Sequence, residues 1–269
     1  MATEDLEIRE SNQQYIAASS RLCANFPGAE VVELRGLIAA WCNTLIPFCN
    51  VIFLSHPVTN HADLETRAAA LARYIQPKER PPLFCACRDW IPEPLRGAAD
   101  ALFVEAGLRA SVTITGMAAQ ELPALRSVVP NLEFRRAADA ETRNQFADIN
   151  AAAYGMPNEI IREALAIPQI WSDDFAGHVA LLEGRAVAAA ATMAVGGSLH
   201  VMCVATIPEC QRRGYAEATM RHSLQEMSRA TGLSRTTLHA SEAGLPAYRR
   251  MGYRETATFA GYSRREIPA

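Results

Sequence analysis

Apolar positions recur along this chain with two different periods, and the changes of period mark its elements. In the first half, Glu4–Ala24 and Val31–Cys42 carry apolar residues at helical spacing. Asn50–Leu54 predicts a strand, Ala62–Ile75 a helix, and Leu83–Cys87 a second strand. Leu95–Ala106 predicts a helix stopped by Gly107, and Ser111–Gly116 a closing strand. Glu121–Asn131, bracketed by prolines, has the composition of a linker.

The second half is more sharply patterned. Leu132–Arg136 predicts an edge strand, and Glu141–Tyr154 and Asn158–Ile167 predict helices split by Gly155-Met156-Pro157. His178–Leu182 and Ala186–Val195 predict a hairpin about Glu183-Gly184-Arg185. Ser198–Thr206 predicts a strand. A loop then enters an amphipathic helix with Ala216, Met220, Leu224 and Met227 on one stripe, ended by Gly232. Arg235–Ser241 (strand), Pro246–Met251 (short helix) and Tyr253–Ser263 (strand) follow. Strands and helices interleave in both halves. The expected class is therefore α/β (α+β), with domains at 1–125 and 132–269 and a linker at 126–131.

Composition narrows the function classes. The 269 residues suffice for a buried core without staples, and 49% hydrophobic with 20% charged residues is globular in character. A net charge of −3 argues against a nucleic-acid or anionic-membrane partner. The N-terminus is acidic where a signal peptide is basic, and no apolar run reaches the ~18 residues of a membrane span. The expectation is a cytoplasmic protein. The only lysine, Lys78, sits in Gln-Pro-Lys-Glu, which rules out a phosphate loop of the Gly-Lys-Ser/Thr kind.

Seven irregularly spaced cysteines in a chain without a secretion signal predict free thiols. Cys85 and Cys87 lie on one strand as core thiols; zinc binding with His56 or His61 is the weaker reading, and no metal is expected.

The informative segment is Val204-Ala205-Thr206-Ile207-Pro208-Glu209-Cys210-Gln211-Arg212-Arg213-Gly214-Tyr215-Ala216. It joins a strand to a long helix through a Gln-x-x-Gly-x-Ala turn. Amides at a helix start lack intrahelical acceptors and converge with the positive end of the helix dipole, a setting suited to a diphosphate. Gly214 permits close backbone approach, Ala216 keeps the first turn clear, and Arg212 and Arg213 add charge at the mouth.

In this context the turn resembles the pyrophosphate loop of the GNAT superfamily of acyl-CoA-dependent N-acyltransferases, Q/R-x-x-G-x-G/A. The likeness extends over Leu199–Ser263: a strand ending Val-Ala-Thr-x-Pro, a helix of about four turns, the strand end His239-Ala240-Ser241, and the block Ala247-Tyr248-Arg249-Arg250-Met251-Gly252-Tyr253. It weakens over Leu132–Ser198. Leu83–Met117 echoes the family's late strand, helix and final strand, but no cofactor turn occurs before residue 125. The first half thus resembles a degenerate GNAT-like domain, with an unrelated α/β cap as the alternative. The resemblance implies a mixed, mostly antiparallel central sheet flanked by helices, in two tandem GNAT-like domains.

It also implies acetyl or acyl transfer from acetyl-CoA to an amine of a small molecule or peptide, by direct attack. Gln211, Arg212, Arg213, Gly214, Tyr215 and Ala216 would hold the diphosphate. The strand through Val204, Ala205 and Thr206 would pair with the pantetheine arm, and an amide near Val204 would face the thioester oxygen. Tyr248 matches the family's general acid for the leaving thiolate, with Ser241 orienting it or touching the cofactor.

His200 falls where some members carry a base, and strand alternation puts it on one side with Met202, Val204 and Thr206. His239 and His222 have weaker claims, and Cys203 reads as core. The family's acceptor is set near Tyr154–Trp171; Asp173 and Asp174 could attract a cationic amine. A homodimer is compatible with the first half. The alternative is an acyl-CoA-binding sensor without turnover.

Overall fold

The computed structural model describes residues 2–122 and 131–264. The chain packs as two compact units that are discontinuous in sequence. One takes the residues up to Met117, Ala240–Leu245 and Glu255 onward; the other takes Ala118–His239 and Pro246–Arg254.

The first unit begins with α1 (Ala2–Cys23), β1 (Glu30–Leu34) and β2 (Leu37–Trp41). Helical spacing over Val31–Cys42 is corrected here: β1 and β2 form an antiparallel hairpin with Leu34 opposite Leu37. The two turn residues are Arg35 and Gly36, and Gly36 adopts φ +70°. A run apolar on both sides of such a turn fits helix and strand alike; the pairing of β2 with β3 (Asn50–Leu54) settles it. Gly36 also admits the buried Arg67, whose guanidinium would lie 2.6 Å from a Cβ there.

From β3 the chain crosses through α2 (His61–Ile75) to β4 (Leu83–Cys87), which pairs parallel with β3. α3 (Arg96–Glu105) and β5 (Arg109–Ala119) follow. Cys85 and Cys87 are fully buried on β4, and burial pushes both thiols up to about 12. None of the seven cysteines forms a disulfide.

The second unit carries β6 (Leu132–Arg136), α4 (Ala140–Tyr154), α5 (Asn158–Leu165), β7 (Phe175–Leu182), β8 (Arg185–Val195) and β9 (Ser198–Thr206). Then come α6 (Tyr215–Thr231), β10 (Thr236–Ser241) and α7 (Leu245–Met251). Its strands run in the order β10-β9-β8-β7-β6. Neighbours are antiparallel from β6 to β9, and β9 and β10 are parallel. The first unit repeats this plan, with antiparallel β1-β2-β3 and then a helical crossover to a parallel strand. The mixed, mostly antiparallel sheet implied by the family resemblance is present in each unit.

The last strand, β11 (Arg254–Ser263), differs from a simple cut at residues 126–131. Rather than closing the second unit, it pairs antiparallel with β4 and lies between β4 and β5. The cause is burial: Ala257, Phe259 and Tyr262 belong to the core of the first unit. Phe259 meets Tyr15 edge-on at 5.6 Å, and Tyr262 meets Phe103 at 5.0 Å. Residues 126–130 of the expected linker lie outside the described residues.

Helices cover both faces of the second sheet. Thr192 of β8 meets Ser223 of α6 with hydroxyls 2.9 Å apart, so Thr192 faces α6. On the other face Gly177 leaves room for Trp171 and for Phe146 of α4; a Cβ there would stand 2.5 Å from the indole. Gly177 lies opposite Ala191. Ala191, Met193 and their cross-strand partners therefore face α4. No helix among the described residues is long and apolar enough to cross a membrane.

Candidate active site

Two breaks in regularity open the second sheet at the C-terminal end of β9. β10 pairs with β9 only from Thr236↔Leu199 to Leu238↔Val201. Beyond Val201, the edge of β9 that faces β10 has no strand register, so the two strands form a fork. In the same stretch β9 bulges: Met202 stands opposite Ala191, but Ala205 stands opposite Ala189, so β9 holds one extra residue. The bulge centres on Cys203, at φ +53°. Such a bulge re-aims side chains and amides.

The alternation inferred from sequence changes phase there. His200 and Met202 share a face, but Val204 and Thr206 no longer continue it. Val204 and Thr206 are half-buried and Ala205 is buried.

The turn after β9 has the expected form. Gln211, Arg212, Arg213 and Gly214 are exposed, Tyr215 is buried beneath them, and Ala216 is half-buried. Gly214 is the residue before α6, at φ +81°, and no side chain caps the helix. Arg212 also takes a left-handed φ, +61°. Two left-handed residues, Arg212 and Gly214, stand immediately before an uncapped helix start, a setting that favours a concave run of amides. Glu209 and Arg185 form an ion pair just before this run.

The matching loop of the first unit is built in the opposite sense. Asn60 caps α2 by accepting the Asp63 N–H at 3.0 Å. The buried Arg67 donates to the carbonyls of His56 (2.6 Å) and Pro57 (3.0 Å) and to the Asp63 carboxylate. This loop turns carbonyls toward a guanidinium, whereas the second unit's turn is exposed and its helix start has no side-chain cap.

The sequence-derived side chains divide by position. Tyr248 is half-buried on α7, its ring 5.9 Å from that of Tyr253; burial pushes its phenol up to about 12. The Tyr154 phenol, at the end of α4, is raised by desolvation and by its neighbours Cys203 and Tyr248. Tyr154 keeps 43% of its surface open. The family resemblance placed Tyr154 only in the acceptor region; the influence of Cys203 and Tyr248 on its phenol depends on how α4 packs. Ser241 ends β10, exposed, and its carbonyl accepts from Gly244 N–H at 3.0 Å.

His200 is only 2% exposed. It lies opposite Met193 and so faces α4, within the paired part of the fork. Its Nδ1 is 3.1 Å from Thr237 Oγ1, and burial pushes its pKa down to about 4. His222 stacks on Phe134 at 4.4 Å, on the α6 face. Asp173 pairs with Arg136 at 3.8 Å, and Asp174 accepts from the Ser172 hydroxyl. Among the described residues no group of three or more His, Cys, Asp or Glu could hold a metal ion.

Residues 147–261 match a family model described as an acetyltransferase (GNAT) domain. Among solved structures, a GCN5-related N-acetyltransferase from Kribbella flavida is 18% identical, the match covering 94% of this chain and 95% of that one at a TM-score of 0.70. A GCN5-related N-acetyltransferase from Sphaerobacter thermophilus is 17% identical over 87% and 78%, at 0.58. A tandem GNAT protein from the clavulanic acid biosynthesis pathway is 10% identical over 84% and 77%, at 0.51. At these identities the likeness is one of fold. No curated protein matches the chain.

Proposed function

We propose that this chain, a member of the GNAT superfamily with its acetyltransferase domain at 147–261, transfers an acetyl group from acetyl-CoA to an amine of a small molecule or peptide. The observation that carries the reading is the uncapped amide run from Gln211 to Ala216 set directly after the β9–β10 fork. The amides from Gln211 to Ala216 receive the diphosphate, with Arg212 and Arg213 at the rim. The free edge of β9 through Val204, Ala205 and Thr206 accepts the pantetheine arm as an added strand. An amide of the bulge at Cys203–Val204 faces the thioester oxygen as it gains charge.

Tyr248 gives its proton to the departing thiolate. A phenol raised to about 12 is protonated throughout the neutral range, so it is always loaded for this step. Ser241 stands at the end of β10 as a further polar group for cofactor or phenol. The first unit's loop, with carbonyls inward, offers no second diphosphate site, so one CoA per chain is the expected stoichiometry.

Calorimetry with acetyl-CoA, followed by thiol release with a panel of primary amines, tests the reading. Binding with n near 1 and amine-dependent thiol release supports it. No heat with acetyl-CoA overturns it. Tight binding without turnover for any amine replaces it with a sensor of acyl-CoA.

A further inference from the structure

The fork in the second sheet holds a histidine that the sequence ranked low. β10 leaves β9 after Leu238. His239 is therefore the first residue of β10 past the last position paired with β9. It lies two residues beyond Thr237, so it shares the face of Thr237 and His200. That face is the one toward α4, fixed independently by Gly177, Trp171 and Phe146. The His200 and His239 rings are 5.3 Å apart, centroid to centroid, and tilted by 43°. His200 is enclosed and tied to Thr237, whereas His239 is only half-buried. Of the two, only His239 lies past the stretch of β10 paired with β9 and keeps part of its surface open; its Nδ1 is closed to solvent, so Nε2 is the nitrogen the inference assigns to the substrate.

We infer that His239 is the proton acceptor for the attacking amine, with His200 as the buried group that holds its ring in place. The inference rests on the acetyl-transfer reading above. The balance is R–NH3+ plus acetyl thioester giving amide, thiol and one free proton. His239 takes the first proton from nitrogen and passes it to water. The N–C bond then forms and the C–S bond breaks. Tyr248 protonates the departing sulfur, and the second proton lost by nitrogen restores the Tyr248 phenol. His200, bonded to Thr237 and closed to solvent, is a positioning residue and stays neutral.

Histidine-labelled full-length protein, titrated by NMR from pH 5 to 9 with and without CoA, tests the placement, with His239→Gln supplying the assignment. The expected result is that the His239 ring signals and their titration midpoint move on CoA binding. In parallel, kcat/KM for acetyl-CoA with a primary alkylamine is measured against pH. His239→Gln should lower it by about 100-fold near neutral pH. The loss should shrink as pH approaches the amine's own pKa, while CoA affinity holds.

If CoA binds and the His239 signals stay still, the inference is overturned and the acetyl-transfer reading stands. If His200→Gln rather than His239→Gln flattens the pH profile, the roles are reversed and the inference fails. If the His239 signals respond but no amine turns over, the base role falls in favour of sensing. If CoA does not bind at all, the functional reading falls first and takes this assignment with it.

Discussion

At the scale of single residues, burial decides which ionisable groups can act. Tyr248, raised to about 12 by burial, keeps its proton across the working range. Tyr248→Phe should lower kcat by about 100-fold or more with little change in acetyl-CoA affinity, and the loss should be the same from pH 6 to 9. Equal kcat in the variant would remove Tyr248 from the chemistry.

His178 and His200 are both pushed down to about 4, chiefly by desolvation. His178 also feels His222 and Arg136. The unfolded chain binds these protons first as pH falls. Their stabilising contribution is complete above the unfolded value of about 6.5 and is lost as pH falls to about 4. Urea midpoints measured between pH 7 and 4 should decline, and less steeply in His178→Gln. Gly177 is a third residue-scale test. A methyl there would press on Trp171 and Phe146, and Gly177→Ala should cost about 1–3 kcal/mol in chemical denaturation.

At the scale of elements, the site is made by the places where regular pairing fails. β9 bulges, β10 departs after three paired residues, and α6 starts without a cap. Each is a departure from regular strand or helix pairing, and under the proposed function these are the places where the thioester and the diphosphate bind. Gly214 joins two of these features. Placing a side chain at φ +81° costs about 1–2 kcal/mol for an L-residue. Gly214→Ala should lower folding stability by about that amount and, by pushing the turn out of the shape that receives the diphosphate, weaken acetyl-CoA binding at least about tenfold by calorimetry. Unchanged affinity would move the diphosphate away from this turn.

At the scale of the whole molecule, the two units share a strand order, but α2 is capped by Asn60 whereas α6 has no side-chain cap. The chain end is committed to the first unit. Phe259 and Tyr262 each bury a full aromatic side chain there, about 2–3 kcal/mol apiece. Arg264 donates to the carbonyl of Ile75, the last residue of α2, and to that of Lys78 just beyond it. Truncation after Tyr253 should therefore unfold the first unit, read by hydrogen exchange over β3 and β4. A fragment of residues 1–125 should likewise fail to fold for lack of β11. Protection of β3 and β4 in the truncated chain would contradict this.

Much of this protein was legible from local pattern. The periods of its elements, the Gln211–Ala216 turn and the place of Tyr248 follow from neighbours in sequence, because helix stripes, caps and turns are short-range physics. The hairpin at Val31–Cys42 was not legible, since an apolar run with one glycine suits either period until a neighbouring strand claims it. The phase change at Cys203 was hidden because a bulge leaves no mark on composition. Tertiary structure alone decided that β11 fills the first unit's core, that His200 is sealed within the paired stretch, and that His239 stands past the fork. Each of those depends on what packs against a residue from far along the chain, and burial, the dominant energy here, is a property of that packing and not of the sequence window around it.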